Sequence, residues 1–155
     1  MNNEVQDQLQ KAIAYSFLLL KYRLRSEYEI RSRLKRKKFE PDIIEAAVSF
    51  LKNKDFISDR DFARLWLESR IKRSCGLQRI RRELKLKGIA KDLIQEAQDS
   101  LLDYNEEEAV MVLAKKRIFS LKGLEPQKKR QRLYGYLMRR GFSPDVVLEA
   151  LDKVL

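Results

Sequence analysis

A thiol near a cation and before a glycine is a candidate nucleophile, and Cys75, two residues after Arg73 and directly before Gly76, has that setting. A reactive thiolate also needs a base, and the chain has no histidine, the commonest general base near neutral pH and the commonest metal ligand. Carboxylate pairs such as Asp59/Asp61 stand where a helix should begin and read as helix starts. No Gly-rich phosphate loop, nucleophile elbow or zincin motif occurs. The sequence therefore reads as that of a protein that binds something and catalyses nothing, without metal or cofactor. What it offers a partner is positive charge: 34 Lys and Arg against 23 Asp and Glu, a net +11. That balance favours a polyanion or an acidic protein surface.

The charge is unevenly placed. Over 26–38, 76–87 and 126–140 there are seventeen basic residues against Glu27, Glu29 and Glu83, a local +14 that exceeds the +11 of the whole chain. Everything else is slightly acidic. The segments that follow carry Asp42, Glu45, Asp92, Glu96, Asp99, Asp145, Glu149 and Asp152 against Lys52, Lys91 and Lys153. The cations nominated for partner binding are Arg70, Arg73, Arg79, Arg82, Lys85 and Lys87 in the centre of the chain. Arg33, Arg36 and Lys37 join them before it, and Arg132, Arg139 and Arg140 after it. Arg70 has a second reading, a structural salt bridge to a neighbouring unit. Tyr134 and Tyr136 are read as core or rim residues before bases are invoked for them.

The elements that position these cations form an internal repeat. Shifting by 50 lays Ile30, Leu34, Phe39, Asp42, Ile44, Ala47 and Leu51 on Ile80, Leu84, Ile89, Asp92, Ile94, Ala97 and Leu101. A further shift of 53 brings in Leu133, Leu137, Phe142, Asp145, Val147, Ala150 and Val154. Apolar pairs at i and i+4 mark a basic middle helix, and stripes such as Ile43, Ile44, Ala47 and Leu51 mark a closing helix. Gly88 and Gly141 suit a left-handed helix stop, whereas Lys38 stands at that place in the first copy and predicts a weaker cap. Ser143 and Pro144 read as N-cap and first-turn proline.

A helix precedes each pair. The first is expected over 7–24 with Leu9, Ile13, Phe17, Leu20 and Leu24 as its stripe. The second, over 58–73, opens on Ser58 and Asp61 at capping-box spacing and has Phe62, Leu65 and Trp66 as its apolar face. The third, over 105–119, has Asn105 as N-cap followed by three glutamates. The expectation is an all-α protein of three tandem three-helix repeats, about nine helices, with boundaries 1–57, 58–104 and 105–155. Units of this size should stack, in an elongated and curved arrangement that aligns the basic helices as a ridge. A lone cysteine, no apolar run near the roughly 20 residues of a membrane span, and no secretory leader point to a cytoplasmic protein.

The segment DRDFARLWLESRIKRSCGLQRIRRELKLKGIAKDLI (59–94) resembles the central signature of the RecX family, bacterial regulators of the RecA recombinase. The resemblance rests on Phe62-Ala63, Trp66, Arg70, Gly76, Arg82-Glu83-Leu84 and Lys87-Gly88-Ile89, and extends over about 12–155. It implies tandem three-helix repeats in a curved, modular protein that lodges in the groove of the RecA filament. It further implies restraint of strand exchange, ATP hydrolysis and the coprotease activity that triggers the SOS response. It carries over no catalytic residue, and Phe62, Trp66, Arg70, Leu84, Gly88 and Ile89 mostly as scaffold. The partners expected are the RecA filament and single- or double-stranded DNA bound weakly or without sequence preference, with no membrane and a monomeric free state. The alternative is a stand-alone DNA-binding protein whose units imitate helix-turn-helix domains.

Overall fold

Burial follows the repeat. Ile30, Leu34, Ile80, Leu84, Leu133 and Leu137, the i and i+4 pairs of the three middle helices, are each 0% exposed, and full burial of such a side chain contributes about 1.5–3 kcal/mol. The computed structural model describes residues 3–155, and among these there are nine α-helices, one 3-10 turn and no strand. The first repeat comprises α1 (Asn3–Tyr22), α2 (Glu27–Arg36) and α3 (Pro41–Asn53). The second comprises α4 (Asp59–Lys72), α5 (Leu77–Leu86) and α6 (Lys91–Asp99). The third comprises α7 (Glu106–Ile118), followed by the 3-10 turn Phe119–Leu121, then α8 (Pro126–Arg140) and α9 (Pro144–Val154).

Two compact units result, one of the residues up to Leu65 together with Leu84–Glu96, the other of Trp66–Glu83 together with Ala97–Leu155. In the first, Ala12 and Leu19 of α1 pack with Ile30 and Leu34 of α2 and with Ile43, Ile44, Ala47, Val48 and Leu51 of α3. In the second, Val110 and Ala114 of α7 pack with Leu133 and Leu137 of α8, Phe142, and Val147, Ala150 and Leu151 of α9.

Helix starts are built from the expected side chains. Ser58 Oγ accepts from Asp61 N–H at 3.2 Å, and Asn105 Oδ1 accepts from Glu107 and Glu108 N–H at 2.9 and 3.2 Å. The helix dipole favours the three glutamates that follow. Ser143 is the N-cap of α9 with Pro144 behind it, but its hydroxyl makes no capping bond. A reciprocal capping box, not anticipated from the sequence, opens α2. Ser26 Oγ accepts from Glu29 N–H while Glu29 Oε2 accepts from Ser26 N–H, both at 3.2 Å.

Two expected apolar faces are rotated in the structure. In α1 the buried positions are Ala12, Ser16 and Leu19, with Leu9, Ile13 and Leu20 beside them. Phe17 is 36% exposed, Leu24 lies beyond the helix end and is 53% exposed, and the ring of Phe17 meets Phe56 edge-on at 4.7 Å. Small residues allow the close packing: Ser16 is buried with its hydroxyl satisfied, donating to the Ala12 carbonyl at 2.8 Å. In α4, Phe62, Ala63 and Leu67 are buried while Leu65 is 37% exposed, so the face turns toward the small alanine.

Each middle helix ends in a left-handed residue, Lys38 (φ 64°), Gly88 (φ 75°) and Gly141 (φ 91°). At the first two the next N–H reaches back across the cap, Phe39 to Leu34 at 3.3 Å and Ile89 to Leu84 at 3.1 Å. The cap at Lys38 therefore forms in spite of its side chain.

The two glycines cannot be exchanged for the lysine. A Cβ on Gly88 would lie 2.4 Å from Tyr28 Cβ, and one on Gly141 would lie 2.1 Å from Arg79 Cβ. Both sit where the middle helix of one repeat ends against the first turn of the middle helix before it. At the first joint Ser26 Oγ donates to the Lys87 carbonyl at 2.6 Å, and Glu27 N–H donates to Asp59 at 2.9 Å. At the second Gly76 N–H donates to the Arg140 carbonyl at 2.8 Å, and Leu77 N–H donates to Glu106 at 3.1 Å. Gly88→Ala should lower stability by about 2 kcal/mol or more, since a left-handed L-residue alone costs about 1–2 kcal/mol and the clash adds to it. Lys38→Gly should raise stability by up to about 1 kcal/mol. Thermal denaturation of the two variants beside the parent checks the opposite signs.

Candidate interaction surface

Where the cations stand decides which can meet a partner. Arg70, on the last turn of α4, is held inside the protein. Its Nε donates to Glu83 Oε2 at 2.7 Å and its guanidinium lies 4.4 Å from the ring centre of Trp66. Trp66 Nε1 donates to the same oxygen at 3.0 Å, and Arg79 Nε donates to Glu83 Oε1 at 2.9 Å. Burial pushes the Glu83 carboxyl up, but the bonds from Arg79, Trp66 and Arg70 outweigh it and hold the group below the usual carboxylate range. The pair Arg70–Glu83 thus lies within one repeat, joining α4 to α5.

Lys87 is engaged in the same manner at the first joint. Its Nζ lies 2.6 Å from Glu29 Oε1, and Arg23 approaches the same carboxylate through both Nη atoms, at 2.8 and 3.0 Å. Burial raises the Glu29 carboxyl, yet bonds from Arg23, Lys87 and the Ser26 N–H bring it down to about 2. Arg140 donates to the Ser74 carbonyl at 3.1 Å and to the Arg73 carbonyl, closing the second joint. Arg33 donates to the Tyr15 hydroxyl at 3.2 Å, and Lys37 lies 5.2 Å over the ring of the same tyrosine.

The remaining nominated cations, Arg36, Arg73, Arg82, Lys85, Arg132 and Arg139, have exposed side chains. They make no ion pair among the described residues. Of the twelve nominated residues, Arg33, Arg70, Arg79, Lys87 and Arg140 are tied within the fold, Lys37 is exposed and lies over the Tyr15 ring, and the other six are presented to solvent, with exposed cations on all three middle helices. Lys35 belongs with the second group and was not nominated, although the shift of 50 places it on Lys85 and both are exposed. Among the described residues no group of acidic, cysteine or histidine side chains could hold a metal ion. Cys75 is buried at 4% exposure. No helix among them is long and apolar enough to cross a membrane.

Fold and surface together define an all-α repeat protein with basic middle helices. Three family models match it in order: "RecX, first three-helix domain" over 12–51, "RecX, second three-helix domain" over 58–97 and "RecX, third three-helix domain" over 105–151. The chain is 32% identical over 155 residues to "Regulatory protein RecX" of Prosthecochloris aestuarii, covering 99% of this chain and 97% of that protein. It is 31% identical over 134 residues to the protein of the same name from Clostridium botulinum (strain Eklund 17B / Type B), covering 85% of this chain. The match spans only 63% of that longer relative. Among solved structures, "Crystal structure of RecX from Lactobacillus salivarius" shares the fold with a TM-score of 0.83 at 22% identity, covering 96% of this chain and 97% of that one. "Crystal structure of regulatory protein RecX" gives 0.82 at 25% identity, covering 96% and 74%. The chain belongs to the RecX family, whose curated relatives are named regulatory proteins.

The low Glu29 pKa sets a pH dependence. A carboxyl depressed from 4.5 to about 2 on folding contributes stability that is fully present above pH 4.5 and lost as the pH falls toward 2. Glu29→Gln should therefore be less stable than the parent at neutral pH, with the gap closing on acidification. Melting temperatures of both proteins between neutrality and about pH 2.5 check this, because only a carboxylate that titrates makes the two curves converge.

Proposed function

We propose that this protein regulates the RecA recombinase, mainly by inhibition, by lying in the groove of the RecA filament on DNA with its basic middle helices toward the filament. The observation that carries the reading is the set of exposed, unpaired cations on the middle helices: Arg36 on α2, Arg82 and Lys85 on α5, Arg132 and Arg139 on α8. A helix that spends its positive charge inside the fold keeps cations tied, as Arg70, Arg79 and Lys87 are. A helix that meets a long negative partner keeps cations free, and their long-range field speeds encounter with it. Membership of a family of regulatory proteins supports the same role.

In this reading the three repeats, 1–57, 58–104 and 105–155, each contribute exposed cations to binding, and the protein works in the cytoplasm as a monomer. Occupation of the groove slows filament growth, ATP hydrolysis, strand exchange and coprotease activity together, because all four depend on the assembled filament. Arg73 joins the exposed set at the end of α4. Arg33, Lys37, Arg70, Arg79, Lys87 and Arg140 shape the helices that present it.

The test is single-stranded-DNA-dependent ATP hydrolysis by RecA with this protein added. The parent should inhibit, and Arg82→Glu with Lys85→Glu should weaken inhibition at least tenfold in the concentration needed, with an unchanged melting temperature. No inhibition by the parent at any ratio or order of addition would sink the proposal. Tight binding to naked DNA, weakened about 0.9 log units per tenfold salt for each duplex phosphate neutralised, would favour the stand-alone DNA-binding alternative.

A further inference from the structure

Arg25 stands in the link between α1 and α2, directly before the Ser26 cap, and is partly buried. Its Nε is shut off from solvent and has no hydrogen-bond partner, a costly condition for any buried donor and more so for a charged one. Glu29 is the carboxylate whose field reaches it, and Glu29 is full. Oε1 accepts from Arg23 and Lys87, and Oε2 accepts from Arg23 and the Ser26 N–H, which uses the roughly four lone-pair sites a carboxylate has. Burial, and after it the charges of Arg23 and Arg33, push the Arg25 guanidinium below its usual range against the pull of Glu29.

Two further cations beside α1 are held in place without being neutralised. Arg33 donates through Nε and Nη2 to the Tyr15 hydroxyl, at 3.4 and 3.2 Å. Lys37, one turn further on, lies over the ring of the same tyrosine. A phenol fixes the position of a cation but leaves its charge uncancelled. None of Arg25, Arg33 and Lys37 makes an ion pair among the described residues. The Tyr15 hydroxyl accepts from Arg33 and still has its own proton to give, and no acceptor among the described residues takes it. The side-chain groups left over along this seam between α1 and α2 are therefore donors: the Arg25 guanidinium, the remaining Arg33 N–H groups, the Lys37 ammonium and the Tyr15 O–H.

Such a donor set is completed by oxyanions. A single carboxylate would neutralise one of the three cations and leave two, whereas a nucleic-acid backbone repeats its charge at every residue. The planar fork of a guanidinium also takes phosphate oxygens two at a time. We propose that the seam between α1 and α2 of the first repeat binds the phosphates of a nucleic-acid strand, Arg25 gripping one phosphate and Arg33, Lys37 and the Tyr15 hydroxyl meeting the next. The site is made of residues other than the outward cations assigned to the filament, and its test contains no RecA. It can fail while the proposed regulation stands, and the reverse.

Fluorescence anisotropy of a dye-labelled oligothymidylate, followed from low to moderate salt, tests this. The parent should bind at low salt, and Arg25→Gln should bind at least about fivefold more weakly. The salt slope of the variant should be smaller by about 0.7, the share of one single-strand phosphate no longer neutralised. Arg25→Lys keeps the charge without the fork, and should recover the slope but not the full affinity. Melting separates binding from a structural role. Removing a cation that served the fold would lower the melting temperature, whereas Arg25→Gln should melt no lower than the parent, because it relieves a buried charge repelled by Arg23 and Arg33. Poly-glutamate should compete equally poorly against parent and variant, and inorganic phosphate, which lacks the repeat, should displace the strand only at far higher phosphate concentration. Equal binding of the strand by parent and Arg25→Gln overturns the inference, as does a parent that does not bind it or a lowered melting temperature. Poly-glutamate with the same dependence on Arg25, or inorganic phosphate that competes as well as the strand, overturns it too.

Discussion

At each joint the carbonyl end of one middle helix meets the N–H end of another, and the two are close enough that an ordinary side chain does not fit. The approach satisfies helix-terminal groups that would otherwise need water or capping side chains, and it sets the negative pole of one helix against the positive pole of the next. Several features follow from that approach. Glycine is required because of the missing Cβ as much as because of the positive φ, which Lys38 shows a larger residue tolerating. The acidic residue that begins α4 or α7 serves its own helix and accepts the first N–H of the previous middle helix as well.

The joint also explains how the basic charge is divided. Cations near a helix junction find carboxylates or carbonyls within reach and become part of the structure, as Lys87 does with Glu29 and Arg140 with the Arg73 and Ser74 carbonyls. Others on the outward turns, such as Arg36, Arg82, Lys85, Arg132 and Arg139, make no ion pair among the described residues. Partly buried, multiply bonded pairs such as Lys87–Glu29 resist salt better than exposed ones, so raised ionic strength should blunt the outward set before it loosens the repeats. One residue type serves both purposes, and position along the helix decides which.

The helices, their buried i and i+4 pairs and the glycine stops were legible in the sequence, because periodicity and backbone handedness are local properties that the repeat displays three times. The faces of α1 and α4 were less so. Their burial depends on small residues, Ala12, Ser16 and Ala63, whose worth lies in how closely another helix approaches, and hydrophobicity alone ranks Phe17 and Leu65 above them. The role of individual cations was hidden for a similar reason. Arg79 and Arg82 are three residues apart on one basic helix, but only Arg79 reaches forward one turn to Glu83. The S-x-x-E pattern at Ser26 was readable and was masked by the basic run that follows it. Lys38 was readable only as a departure from glycine; that its cap forms all the same needed the backbone.

Trp66 is the single tryptophan of the chain. Its indole nitrogen shares a carboxylate oxygen with Arg70, and its face carries the same guanidinium. A cation stacked on the ring and an anion at the N–H are both strong influences on indole emission. The ultraviolet fluorescence of the native protein is therefore an undyed optical readout of one spot, the tie between α4 and α5. A partner that draws Arg70 or Arg79 away from Glu83 would announce itself in colour and intensity, whereas one that settles on the outward cations alone would leave the emission as it was.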